Sequence, residues 1–229
     1  MKLNGVSIPE DIVRRVTARR GTAHCFADLN PARTALVVID MQRAFLDEAV
    51  GHAVVPAARD IVPAINRLAA VVRETGGAVF WIKDTHDDRS VTDWSAMHGM
   101  ITPAARARRI ASVTEGALGH ALWPALEARP EDAIVLKYRF SAFLPGASDL
   151  PERLRARGFD TVLIAGTVTN VCCESSARDA MMRNFRVVML SDANAALTPA
   201  EHAASLAAFY NAFGDVMDTG MVVSCLRRA

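Results

Sequence analysis

From residue 34 onward, continuous apolar runs of five to seven residues alternate with amphipathic stretches of ten to seventeen. An apolar run without alternation marks a strand buried on both faces, and an amphipathic interval of that length marks a helical crossover between parallel strands. Strands are read over residues 34–40, 78–83, 133–138, 161–166 and 186–191, with a weak sixth at 215–217. Helices are read over 60–75, 121–128, 150–157, 171–184 and 200–213. Gly76, Gly77, Gly158 and Gly214 then stand where helix C-caps are expected. The pattern predicts an α/β chain: a doubly wound parallel sheet between two helical layers.

Two segments break the rhythm. Residues 1–33 are polar and mixed, with Arg14, Arg15, Arg19 and Arg20 near a short helix. They are read as an N-terminal arm preceding a domain over 34–229, solvated or packed on a partner and carrying no chemistry. The stretch 84–119 is rich in His, Asp, Arg, Trp and Met and follows the carboxyl end of a strand, which suits an irregular lid or interface segment.

At 229 residues, 51% hydrophobic and 22% charged, the chain is long enough for one domain with a full core. Its 26 basic and 25 acidic residues are scattered, so no long-range field draws it to nucleic acid or an anionic membrane. A small neutral or weakly charged molecule is the expected partner. The first nine residues lack the apolar core of a secretory signal, and no stretch approaches the roughly 20 apolar residues of a spanning helix, so a cytoplasmic location is expected. Cys25, Cys172, Cys173 and Cys225 show no framework spacing and are read as free thiols; without CxxC or HExxH, zinc is not expected.

Ligands of parallel sheets bind outside the carboxyl ends of the strands. Three reactive side chains fall there: Asp40 ends the first strand, Lys137 lies near the end of the third, and Cys172 follows the fourth, at a strand-to-helix turn. Singly, each has an ordinary reading as a turn residue, a solvated cation and a small core hydrophobe. Placed on one edge, a carboxylate, an ammonium and a thiol form a catalytic set. The unpaired N–H groups of a helix N-terminus are expected to favour the thiolate.

Val38-Ile-Asp40-Met-Gln42-Arg-Ala-Phe45, Lys137-Tyr-Arg139-Phe-Ser141-Ala-Phe143 and Gly166-Thr-Val-Thr-Asn-Val-Cys172-Cys-Glu-Ser-Ser together resemble the isochorismatase-like cysteine hydrolases, over about residues 34–218. The resemblance implies a six-stranded parallel sheet, a catalytic triad of Asp40, Lys137 and Cys172, and no cofactor. It also implies a cis peptide between Val168 and Thr169, which would aim the Thr169 and Cys172 N–H groups at a substrate oxygen as an oxyanion hole. Cys173, about 100° away around the helix, is expected in the core.

The implied reaction is hydrolysis of a C–N bond in a small amide, ureido or N-carbamoyl compound, through a thioester and with release of ammonia. The patterns are most similar to the ureidoacrylate and N-carbamoyl amidohydrolase branch, departing at Tyr138, where proline is usual, and at Phe140, where tyrosine is usual. Gln42, Phe45, Trp81, Arg139, Phe140 and Phe143 are the expected substrate contacts, Arg139 as a grip for a carboxylate. Asp84 and Asn170 are weaker candidates, with turn formation their default. The nicotinamidase branch binds a metal through Asp-x-His and further histidines. His86 stands near one such position, but the stretch 74–77 holds no Asp-x-His, so a metal is not expected and His86 is read as a polar pocket or loop residue. His24, His52, His98, His120 and His202 are read as surface or hydrogen-bonded buried histidines. Alternative readings are an ether or ester hydrolase of the isochorismatase type, with the thiol a bystander, and a non-catalytic redox-sensing domain. The family resemblance points to a homo-oligomer, a dimer or tetramer, for which the arm, the insertion and the apolar stretch 221–226 offer contact surfaces.

Overall fold

The computed structural model describes residues 1–228. The chain opens with a small antiparallel hairpin, β1 (Lys2–Leu3) and β2 (Val6–Ser7), then α1 (Glu10–Arg20). β3 (Thr34–Ile39), α2 (Arg43–Leu46), α3 (Val62–Glu74) and β4 (Ala78–Asp84) follow. Three short helices come next, α4 (Ser90–Asp93), α5 (Ser95–Gly99) and α6 (Pro103–Val113). The remainder alternates: β5 (Ala133–Lys137), α7 (Leu150–Ala156), β6 (Thr161–Thr167), α8 (Glu174–Met182), β7 (Arg186–Ala195), α9 (Pro199–Ala212), β8 (Asp215–Met217) and α10 (Thr219–Arg228).

The last six strands form one parallel sheet in the order β5-β4-β3-β6-β7-β8. Every residue of β3 and β6 is buried, which is why these strands read as unbroken apolar runs. Successive side chains point to opposite faces. Leu36, Val38, Leu163 and Val188 pack with Ile65, Leu68 and Val72 of α3 and Val222 and Leu226 of α10. Val37, Ile39, Val162 and Ile164 pack on the other face with Leu150 and Leu154 of α7, Ala177 of α8 and Leu206 and Phe209 of α9. Two apolar cores separated by one sheet make the three-layer αβα architecture.

Four readings are corrected. Residues 1–33 are not a solvated extension: Ile8 and Val16 are fully buried in the second core, Arg20 donates to Tyr210 O, and the Tyr210 hydroxyl donates to Ala23 O. Residues 121–128 are not helical. Pro124 lacks the N–H a helix needs there, and neighbouring backbone groups bond instead to Met41 and Arg43. The segment after β4 is not irregular, for Thr102 caps α6 by accepting from Ala105 N–H, with Pro103 in its first turn. The apolar stretch 221–226 belongs to α10, which buries Val222, Cys225 and Leu226 within the molecule and leaves Met221, Val223 and Ser224 as its accessible part.

Candidate active site

The connection direction reverses between β3 and β6, which continue to β4 on one side and β7 on the other. The crevice at such a reversal, outside the carboxyl ends, is the place where an open α/β sheet holds its ligand. Asp40 follows β3 directly with φ 54°, a left-handed conformation uncommon for a residue with a Cβ, and its N–H donates to Ile82 O. Opposite Ile39, Gly166 of β6 has φ 117°, and a Cβ there would lie 2.0 Å from Ile39 O. Only glycine lets the two strand ends close at this point.

Lys137 is the last residue of β5, and its ammonium is the hub of the site. Nζ lies 2.9 Å from Asp40 Oδ2, 3.0 Å from Asp84 Oδ1, 3.2 Å from Arg139 O and 3.7 Å from Cys172 Sγ. Asp40 and Lys137 are fully buried and Cys172 is 4% exposed, so the cluster is sealed from bulk water. Cys172 sits in a π-helical turn, Thr169–Cys173, between β6 and α8. His202 Nδ1 on Thr169 Oγ1 (2.9 Å) and Ser205 Oγ on Thr169 O (3.3 Å) hold that turn from α9. The cis peptide lies between Thr167 and Val168, one bond before the expected position, because β6 runs through Thr167 and the chain leaves the sheet at Val168. Cys173 is fully buried in the core.

Burial, with Asp84 adding to it, pushes the Asp40 carboxyl up to about 6 despite the Lys137 charge. Neither Asp40 oxygen has a hydrogen-bond partner of good geometry, the ion pair with Lys137 being off-angle. Its lone pairs are therefore free to accept a proton from the sulfur. The Cys172 thiol is pushed well above its ordinary value by burial, and by Asp40 and Asp84, against the pull of Lys137. This overturns the expectation that the turn favours thiolate: a dry sulfur facing two carboxylates holds its proton. Burial also works against the charge on Lys137, but Asp40 and Asp84 outweigh it and hold the ammonium protonated. Against the upward push of burial, Lys137 and Arg109 keep the Asp84 carboxyl well below the usual range.

The expected substrate contacts divide. The Gln42 amide is fully engaged with backbone: Oε1 accepts from Asp84 N–H (2.7 Å), and Nε2 donates to Asp84 O and His120 O (both 3.1 Å). It fastens strand ends together and does not face a ligand. Trp81 is misassigned, for it points into the α3-side core and its Nε1 donates to Asp132 Oδ2. Phe143 is core too, edge-on to Phe185. In both cases strand or turn alternation turns the ring away from the crevice. Phe45 is buried edge-on to His52. Phe140 and Arg139 border the crevice through Trp94, the residue between α4 and α5. Its indole is 4.6 Å from the Phe140 ring, 5.9 Å from His86 and 5.3 Å from the Arg139 guanidinium. Arg139 is committed to Tyr138 O and Asp93 O, so it clasps the cover instead of reaching inward.

Arg109 and His52 escaped the sequence reading as site residues, and Asp84 was read there only as a weaker candidate. Asp84 is no turn former but a fully buried carboxylate bridging Lys137 and Arg109. Its signal was available, since it ends β4 as Asp40 follows β3. Arg109, on α6, reaches Asp84 Oδ2 at 2.9 Å and lies over the Phe140 ring. It has two arginine neighbours in Arg106 and Arg108, and only its spacing from the buried Ser112 and Val113 marks it as inward. His52 is half-buried, with both ring nitrogens shielded and neither partnered, and burial lowers it to about 4. His120 and His202 are buried and hydrogen-bonded, and His24 pairs with Asp215.

Fold and site define a doubly wound α/β protein with a buried acid–amine–thiol cluster at its switch point. The Isochorismatase domain family model matches residues 34–221, and the chain belongs to that family. Ureidoacrylate amidohydrolase RutB of Methylobacterium radiotolerans is 32% identical over 216 residues, 86% of this chain and 81% of that protein. A cysteine hydrolase from Pseudomonas syringae pv. phaseolicola superposes with a TM-score of 0.78 at 32% identity, covering 88% of this chain and 95% of the other. A pyrazinamidase of Pyrococcus horikoshii, determined in complex with zinc, shares the fold (TM-score 0.69, 23% identity, 81% and 99% covered).

That zinc complex raises the question of a metal here. Asp84-Thr85-His86 is itself an Asp-x-His, at the end of β4 and not before it, where residues 74–77 lie. Both side chains already face the Arg109 guanidinium, and among the described residues no three His, Cys, Asp or Glu side chains converge as a ligand set. The residues present do not fit a divalent ion. Among the described residues no helix is long and apolar enough to cross a membrane.

Proposed function

We propose that this chain is a cysteine-dependent amidohydrolase in which Cys172 is the nucleophile, Asp40 the proton relay and Lys137 the fixed cation. The enzyme is a hydrolase acting on non-peptide carbon–nitrogen bonds of linear amides, as the relatives named amidohydrolases support. One observation carries the reading: a buried thiol lies 3.7 Å from an ammonium that is itself 2.9 Å from a buried carboxylate.

Asp40 takes the thiol proton as Sγ bonds to the carbonyl carbon, and the thiolate forms only as it is consumed. Lys137 offsets the charge on sulfur and carboxylate throughout. The carbonyl oxygen, now an oxyanion, is assigned to the Thr169 and Cys172 N–H groups, as the family resemblance implies; those of Val171 and Cys173 bond to Val168 O. A donor of this kind contributes roughly 3 kcal/mol to the transition state. Protonated Asp40 then gives its proton to the leaving nitrogen, which departs as ammonia or amine and leaves a thioester. Water attacks the thioester carbon, Asp40 accepts the water proton, and return of that proton to sulfur restores the thiol as the acid product leaves.

The substrate class is a small amide, ureido or N-carbamoyl compound, which the ureidoacrylate amidohydrolase relatives support. The test is a panel of primary amides, ureido acids and carbamoyl amino acids assayed for ammonia, with mass spectrometry of acid-quenched enzyme. An acyl adduct on Cys172 is expected. Turnover without an adduct at Cys172, and undiminished in Cys172→Ala, would show that sulfur is a bystander.

A further inference from the structure

β7 does not run evenly against β6. Ile164 pairs with Met189 but Gly166 pairs with Asn194, so one residue of β6, Ala165, faces four of β7, residues 190–193. A bulge takes backbone groups out of the ladder and re-aims the strand, and bulges gather beside active sites. This one is closed by a side chain, for Asn194 Nδ2 donates to Ile164 O at 2.7 Å and to Leu190 O at 2.8 Å. The N-terminal hairpin fastens its outer side: Ser191 Oγ donates to Asn4 O, and Asn4 Nδ2 donates to Asp192 Oδ2.

Within the bulge, the Ser191 carbonyl is taken by a side chain from α9. His202 Nε2 lies 3.0 Å from Ser191 O, and Nδ1 of the same buried ring lies 2.9 Å from Thr169 Oγ1. A carbonyl oxygen can only accept, so Nε2 carries the hydrogen. Burial lowers the proton affinity of the ring, although the bond to Ser191 opposes it, so the ring is neutral and Nδ1 is left as an acceptor. The Thr169 hydroxyl therefore donates to His202. The bulge fixes the tautomer of the imidazole, and the imidazole fixes the side chain of the residue that opens the Cys172 turn.

We infer that His202 is a positioning residue for hydrolysis: held by the β7 bulge, it orients Thr169 so that the Thr169 N–H meets the oxyanion in the transition state. The inference rests on the reading of Cys172 as nucleophile and of the Thr169 N–H as an oxyanion donor. His202 touches no reacting atom. Deleting an oxyanion donor lowers kcat about a hundred- to a thousandfold, and misdirecting one costs less. A donor engaged only in the transition state changes kcat and kcat/KM together and leaves KM alone.

The test cuts this hydrogen bond from either end in the full chain, so that a folding defect in one variant leaves the other to be measured. Thr169→Val keeps the backbone N–H and the branched shape but removes the hydroxyl. His202→Gln keeps a donor for Ser191 O but removes the acceptor that Nδ1 provides. Thr169→Ser and His202→Asn are the conservative partners, retaining the hydroxyl and an acceptor near the Nδ1 position. On the amide that wild type turns over fastest in the ammonia assay, Thr169→Val and His202→Gln are expected to lower kcat by about ten- to a hundredfold with KM within about twofold. The double variant should be no slower than the slower single, because both remove the same contact. The conservative variants should recover most of the loss. Alkylation of Cys172 by iodoacetamide, which forms no oxyanion, should stay within about threefold of wild type in all of them. Turnover that survives Cys172→Ala would remove the nucleophile on which the inference rests. Cys172-dependent turnover that folded Thr169→Val and His202→Gln leave unchanged would overturn the inference alone. It is also overturned if alkylation falls in step with kcat, if KM rises in place of a fall in kcat, or if both conservative variants are as slow as the disruptive ones.

Discussion

Asp40 sets the sharpest prediction, because its raised proton affinity defines where activity must fail. The proton relay works only while Asp40 is ionised, so kcat/KM should fall as pH drops through about 6. One pH unit below that point about one molecule in eleven retains the carboxylate, which predicts a loss of about tenfold at pH 5. Asp84 supplies part of the upward push, so Asp84→Asn should move the acid limb to lower pH even as it lowers overall activity. The assay is ammonia release at substrate concentrations well below KM, from pH 4 to 8, on both proteins, with stability checked at each pH. A wild-type limb near 4 would mean that burial does not shift Asp40. A limb moved upward by Asp84→Asn would refute the electrostatic reading of the cluster.

The same shift has a stability consequence: a carboxyl raised from 3.8 to about 6 stabilises the fold fully below pH 3.8 and loses that contribution as pH rises through 6. Asp40→Asn removes the penalty, about 3 kcal/mol at pH 7, while Asp84 still pairs Lys137, so the inactive variant should unfold at higher urea than wild type; an equal or lower midpoint counts against it. Gly166→Ala places a methyl into Ile39 O at positive φ and should cost several kcal/mol by denaturant unfolding, and a change of under 1 kcal/mol would show that the strand ends can part. Trp94→Ala removes the indole packed against Phe140, His86 and Arg139, and should speed iodoacetamide labelling of Cys172 several-fold; an unchanged rate would mean that access lies elsewhere.

The sheet was legible because burial on both faces leaves unbroken apolar runs, and Asp40, Lys137 and Cys172 stood out because each interrupts or follows such a run. Strand periodicity does not say which face of a sheet a given aromatic takes when both are buried. Trp81 was therefore placed at the crevice although its ring fills the opposite core, anchored by Asp132. Gln42 looked like a ligand contact because it adjoins Asp40, but nothing local reveals that backbone groups of residues 84 and 120 consume its amide. Arg109 was hidden for the same reason. Its partners Asp84 and His86 lie more than twenty residues earlier, and only the fold brings α6 back over β4. Pairings across the molecule, and not the residue types, are what the sequence withholds.

The N-terminal segment has a consequence for how the molecule is handled. α1 lies on α9, with Arg19 and Arg20 donating to the Asn211 and Tyr210 carbonyls near the end of that helix. The same helix carries His202 and Ser205, the two side chains that grip Thr169 at the start of the cysteine turn. The first thirty-odd residues thus act as a brace two contacts removed from the sulfur, and trimming them would strip support from the Cys172 turn as well as from the sheet face that Ile8 and Val16 cover.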